Sequence, residues 1–123
     1  MALPPKRQKV RSGIARAPQR EWPRHRKFVR GHACCVPGCQ DGPIEFAHVR
    51  TGTDGGTALK PSDTHGISLC VEHHREQHQI GEPAFERRYR IDMKALAAEF
   101  ARKSPDIAMR EAMVSYQDEE EAA

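Results

Sequence analysis

The sequence predicts a small α+β fold with extra C-terminal helices and a disordered, basic N-terminal arm. Three observations predict it: an alternating apolar segment at 43–50, helix-period segments from Cys70 onward, and an apolar inventory too small for a large core. Of 123 residues, 37% are hydrophobic and 6% aromatic, with one Trp, two Tyr and four Phe. That length fits one domain plus tails. A domain so poor in core-forming residues needs another source of stability, and four Cys and seven His are the candidates.

Charge divides the chain into an arm at 1–31, a domain at 32–104, and a C-terminal helix with an acidic tail at 105–123. Residues 1–32 hold ten Lys/Arg against Glu21 alone, residues 33–110 are close to neutral, and residues 111–123 hold five acids and no base. The arm contains Pro4, Pro5, Gly13, Pro18 and Pro23 and no sustained period, so it reads as mostly disordered when free. Dense positive charge on a flexible arm suits a polyanion through counterion release. Trp22, Phe28 and Arg30 near its end are placed to dock onto the domain or to stack on bases.

Within the domain, Cys34–Cys39 encloses Pro37-Gly38, a tight-turn signal. PIEFAHVR at 43–50 alternates as a strand, with Ile44, Phe46 and His48 on one face and Glu45, Ala47 and Val49 on the other. Residues 51–66 form a long, Gly-rich loop, too structureless to be mere connection in so small a domain. Helix signals begin near Cys70 and stop at Gly81. A second helix starts around Pro83, and a third follows Asp92 with Leu96 and Phe100 on one face. Ser104-Pro105 caps a last helix, with Ile107 and Val114 on one face and Met109 and Met113 on a neighbouring one. That helix either closes the core or meets a second copy of the chain.

No run approaches the roughly 18–20 apolar residues of a membrane span, and the N-terminal residues lack the apolar stretch of a secretory signal. The expected setting is therefore the reducing cytoplasm, with no membrane partner. Three of the four Cys fall within six residues, which in that setting argues for a metal rather than for disulfides.

Structural zinc takes four N/S ligands in a tetrahedron, commonly as two short pairs. Cys34-x4-Cys39 and Cys70-x2-His73 supply two such pairs about thirty residues apart. Cys35 competes with Cys34; the tighter Cys35-x3-Cys39 loop leaves less room around the Pro37-Gly38 turn. His74 and His78 remain over, and their i, i+4 spacing puts both imidazoles on one helix face, about 100° round from His73. The zinc would staple the turn to the helix and bring His48, at the end of the strand, opposite His74 and His78. A neutral imidazole across from a divalent cation can take a proton from water while the metal stabilises a phosphate.

These residues resemble the HNH endonucleases, the ββα-metal or His-Me finger family. The resemblance covers about residues 32–104 and is carried by CCVPGC, PIEFAHVR, GTALKPSDTHGISLC and HHREQH. Within the family it is similar to small phage and prophage HNH proteins related to the RecA-dependent nuclease Ref. The resemblance implies a zinc-stapled ββα-metal finger in which His48 is the general base. His65 takes the place of the family's central Asn, orienting the base and tying the loop down. His74 and His78 ligate a catalytic Mg²⁺, Mn²⁺ or Zn²⁺, and Cys34, Cys39, Cys70 and His73 hold a structural Zn²⁺. The family often has Asp or His immediately before the first His; here Ala47 stands there, so water, phosphate, or a loop carboxylate such as Asp54 or Asp63 completes the metal shell.

The expected function is a metal-dependent DNA endonuclease or nickase in phage-type recombination or repair. DNA is the expected partner, with Arg50, Lys60, Arg75 and the arm as phosphate contacts. The alternatives are a zinc-stabilised DNA-binding module without catalysis, and an adaptor whose arm binds an acidic partner or a recombinase filament.

Overall fold

A computed structural model describes residues 2–5, 19–51 and 62–122, with side chains described up to residue 114. Lys60, Asp54 and most of the basic arm lie outside the described residues. Among the described residues the chain is α+β: a two-stranded antiparallel sheet with five helices.

The sheet pairs β1 (Ile44–His48) with β2 (Gly66–Cys70), in a register that sets Phe46 against Ser68 and His48 against Gly66. The ladder runs beyond both ends, because Val71 N–H donates to the Pro43 carbonyl and Val49 N–H to the His65 carbonyl. All five residues of β2 are buried, so it is a short continuous run with no alternation to mark it. On β1, Ala47 and the following Val49 enter the main core with Ile67 and Leu69, whereas Phe46 is buried against the N-terminal helix.

That helix, α1 (Pro23–Arg30), corrects the expectation of a disordered arm through residue 31. His25 and Val29, one turn apart, are both fully buried, and Trp22 just before the helix is 8% exposed. The helix is strongly amphipathic, and a narrow stripe is enough to dock it while its other faces stay charged. Of the two roles open to Trp22, docking onto the domain is the one observed.

The remaining helices follow the expected order. α2 (Val71–Ile80) begins where the Cys70 sulfur accepts the His73 N–H and ends at Gly81, whose φ of 85° suits glycine. α3 (Glu82–Tyr89) has Pro83 in its first turn and buries Phe85. α4 (Met93–Lys103) is capped by Asp92, whose carboxylate accepts the Ala95 N–H at 3.0 Å. It packs on β2 and buries Met93, Ala97 and Ala101.

For α5 (Ile107–Ala122) the capping residue is Asp106, which accepts the Met109 N–H at 3.1 Å. Ser104 instead supports the cap, its hydroxyl accepting the Asp106 N–H and bonding His25 Nδ1 at 2.8 Å. Met109 closes a second small cluster with Trp22 and Ala101, while Ile107 and Val114 are exposed. No described helix is long and apolar enough to cross a membrane.

Candidate metal centre and histidine cavity

Two adjoining groups of side chains flank the start of α2. The first comprises Cys34, Cys39, Cys70 and His73, whose ligand atoms all lie within 4.8 Å of one another. Cys34 and Cys39 come from a turn closed by Cys39 N–H to the Val36 carbonyl and by Gly38 at φ 80°. Cys35 N–H donates to the Ser68 carbonyl and docks this turn against β2. Cys70 ends β2 and His73 lies in the first turn of α2, so the strand-to-helix junction delivers the second pair.

The spacings fit a tetrahedral ion. With Zn–S near 2.3 Å and Zn–N near 2.05 Å, ligands on one zinc stand about 3.8 Å apart for two sulfurs and about 3.6 Å for sulfur and nitrogen. Cys39 Sγ and Cys70 Sγ are 3.9 Å apart, and His73 Nδ1 lies 3.5 Å from Cys34 Sγ and 3.2 Å from Cys70 Sγ. The Cys35 sulfur instead faces Ser68 Oγ at 3.4 Å, which settles the competition in favour of Cys34. Burial pushes the Cys34 thiol up to about 11, a penalty on the thiolate that a bound divalent cation reverses. The His73 ring is fixed edge-on by Tyr89 at 5.0 Å, and Tyr89 in turn donates to Glu76 at 2.6 Å.

The second group lines an open cavity of about 530 Å³. His48, His74 and His78 all contribute to its wall, together with Phe46, Arg26 and Arg50. His48 Nε2 is 2.9 Å from Asp63 Oδ1. Asp63 is 3% exposed; its other oxygen accepts the Trp22 N–H at 2.8 Å, and the Arg26 guanidinium lies 3.9 Å away. Burial alone would raise the Asp63 carboxyl, but the bonds from His48 and Trp22 and the nearby Arg26 charge hold it below the usual carboxylate range. An ionised Asp63 accepts, so His48 Nε2 donates and Nδ1 carries the lone pair.

On α2, His74 Nε2 and His78 Nε2 face one another at 3.2 Å, and His74 Nδ1 lies 2.9 Å from Glu45 Oε1. Arg50 is exposed on the cavity rim, its backbone N–H held by the Glu82 carboxylate at 2.8 Å. The same carboxylate receives the Thr51 N–H, fixing the chain as it leaves β1.

Two expected site residues stand elsewhere. His65 is not part of the cavity wall; its main chain ties the loop down, accepting from Val49 and donating to Ser62, while the side chain holding His48 is Asp63. Arg75 is also outside the wall, exposed and 3.6 Å from Glu72 one turn back. The sequence reading held Arg26 only as one of the basic arm's phosphate contacts, missed Glu45 and Glu82, and considered Asp63 only for a metal shell. Glu45 alone carried a local signal, standing two residues before Ala47 on one strand face.

No protein-family model, curated protein or solved structure matches the chain. What is established is a small α+β protein with a Cys₃His cluster able to hold a metal such as zinc.

Proposed function

We propose that this protein is a metal-dependent endonuclease or nickase of the HNH type that hydrolyses DNA phosphodiester bonds. One observation carries the reading: His48, His74 and His78 wall a single open cavity beside two arginines, and the Cys₃His cluster adjoins it through His73 on the helix that carries His74 and His78.

A divalent cation held by His74 and His78 would supply positive charge to the scissile phosphate and the leaving oxygen. The residues of the chain do the rest. His48 Nδ1 takes a proton from the attacking water, and Asp63, ionised and bonded to Nε2, stabilises the imidazolium that forms. Arg26 and Arg50 give the cavity a positive wall for the phosphate. The Cys₃His cluster is a structural zinc site in this reading, stapling the Cys34–Cys39 turn to the β2–α2 junction as in a ββα-metal finger.

The test is nicking of supercoiled plasmid in Mg²⁺, Mn²⁺ or Zn²⁺ by the wild type, His48→Ala and Asp63→Asn. Loss of cleavage in His48→Ala and a large fall in Asp63→Asn support the mechanism; undiminished cleavage by His48→Ala overturns it. A DNA-binding module without turnover is the second reading. It is favoured by Ala47, which offers no ligand atom, and it predicts one bound metal per chain and salt-sensitive DNA binding without nicking.

A further inference from the structure

The proposed metal pair His74/His78 leaves one contact unexplained, the carboxylate of Glu45 on the far side of the His74 ring. We infer that Glu45 is the positioning residue of this pair, fixing His74 in the tautomer and rotation that present Nε2 to a metal; the inference rests on the reading just proposed.

An imidazole in a hydrogen bond with a carboxylate donates to it, because an ionised carboxylate only accepts. With Glu45 Oε1 2.9 Å from Nδ1, the proton of neutral His74 sits on Nδ1 and the lone pair on Nε2. That lone pair points toward His78 Nε2, 3.2 Å away. Two imidazole nitrogens bound to one tetrahedral ion at about 2.05 Å stand roughly 3.3 Å apart, so the pair is already at a ligand spacing. The helix alone does not produce this arrangement: i, i+4 spacing brings the rings together but leaves each free to rotate. Glu45 supplies the rotation from the neighbouring strand.

Its position also accounts for Ala47. Ala47 is fully buried in the main core among Val49, Ile67 and Leu69, where an acidic side chain would have no solvent and no room. Glu45 lies two residues back, on the same strand face but at the exposed end of β1, with a side chain long enough to reach α2. The acidic group thus acts through the histidine and not directly on the ion, an arrangement in which loss of the outer partner weakens metal binding about 10- to 100-fold.

The test titrates Co²⁺ into full-length protein already carrying one equivalent of Zn²⁺, followed by calorimetry and by ¹⁵N shifts of the His74 ring. The wild type should bind one Co²⁺, and metal-free His74 should show the Nδ1–H form. Glu45→Ala should bind Co²⁺ about 10- to 100-fold more weakly and lose that tautomer preference, while Glu45→Gln, which keeps an acceptor oxygen, should fall between. Retention of the Zn²⁺ and an unchanged circular dichroism spectrum check that the variants are folded. Wild-type affinity in Glu45→Ala overturns the role of Glu45 and leaves the metal pair standing. Failure of the wild type to bind any Co²⁺ overturns the pair itself, and Glu45's role with it.

Discussion

Replacing Gly66 by alanine would drive a methyl group into the ring of Phe46, well inside van der Waals contact with Cζ, Cε1 and Cε2. Phe46 lies across the glycine of the opposing strand and has little freedom to yield. It is 7% exposed, with His48 and His25 edge-on at 5.0 and 6.2 Å and the Arg26 guanidinium over its face at 5.6 Å. Overpacking of this kind costs about 1–3 kcal/mol, against which the stiffer unfolded chain of alanine returns at most about 1 kcal/mol. A net loss of about 1–2 kcal/mol should lower the melting temperature by roughly 4–16 °C in a domain this size. Calorimetry or urea unfolding of zinc-loaded Gly66→Ala, Phe46→Leu and the double variant isolates the clash: Phe46→Leu should rescue Gly66→Ala by at least about 1 kcal/mol. Additivity within about 0.5 kcal/mol would refute the packing argument. On the proposed mechanism, because the displaced ring bears on His48, plasmid nicking by Gly66→Ala should fall even at temperatures where the variant is fully folded.

Two further outcomes are expected. Structural zinc contributes about 10–16 kcal/mol of apparent binding energy, as much as the whole stability of an ordinary domain. Chelation or Cys39→Ser should therefore unfold the chain, whereas Cys35→Ser should keep its zinc; metal content and circular dichroism decide, and a stable zinc-bound Cys39→Ser would refute the ligand set. His25 gives a pH dependence. Burial lowers its affinity for a proton, against the opposing charges of Asp106 and Asp63, and its buried Nε2 has no hydrogen-bond partner among the described residues. The unfolded chain then binds the proton more readily. The His25 contribution should be level above about pH 6.5 and fall below it, by up to about 1.4 kcal/mol per pH unit. Urea unfolding of wild type minus His25→Asn from pH 5 to 8 reads it, and a difference that is flat with pH would refute it.

The parts of this fold written in local pattern were legible before any coordinates. The helices from Val71 to Lys103 announce themselves by Gly81, Pro83 and Asp92 at their ends, and the Cys₃His quartet by its paired spacing. What escaped has a physical reason in each case. α1 is amphipathic, but it is only eight residues long and one of its two buried positions is a histidine, and β2 is five buried residues without alternation. Asp63 reaches His48 and Trp22 across 15 and 41 residues of chain, a convergence no window of sequence contains. The family pattern pointed to His65, whose main chain pairs with Val49 beside His48, and the carboxylate bonded to His48 stands two residues earlier.

The sharing of Asp63 has a practical edge. One carboxylate braces His48 and, through its second oxygen, grips the peptide of Trp22, while the Asp63 amide donates to the Arg20 carbonyl at 2.8 Å. Trimming the chain back to the Cys-rich turn, as its charge profile invites, would strand that carboxylate and uncover Phe46. An inert preparation of such a shortened chain would report on the missing brace and tell nothing about the chemistry of the intact molecule.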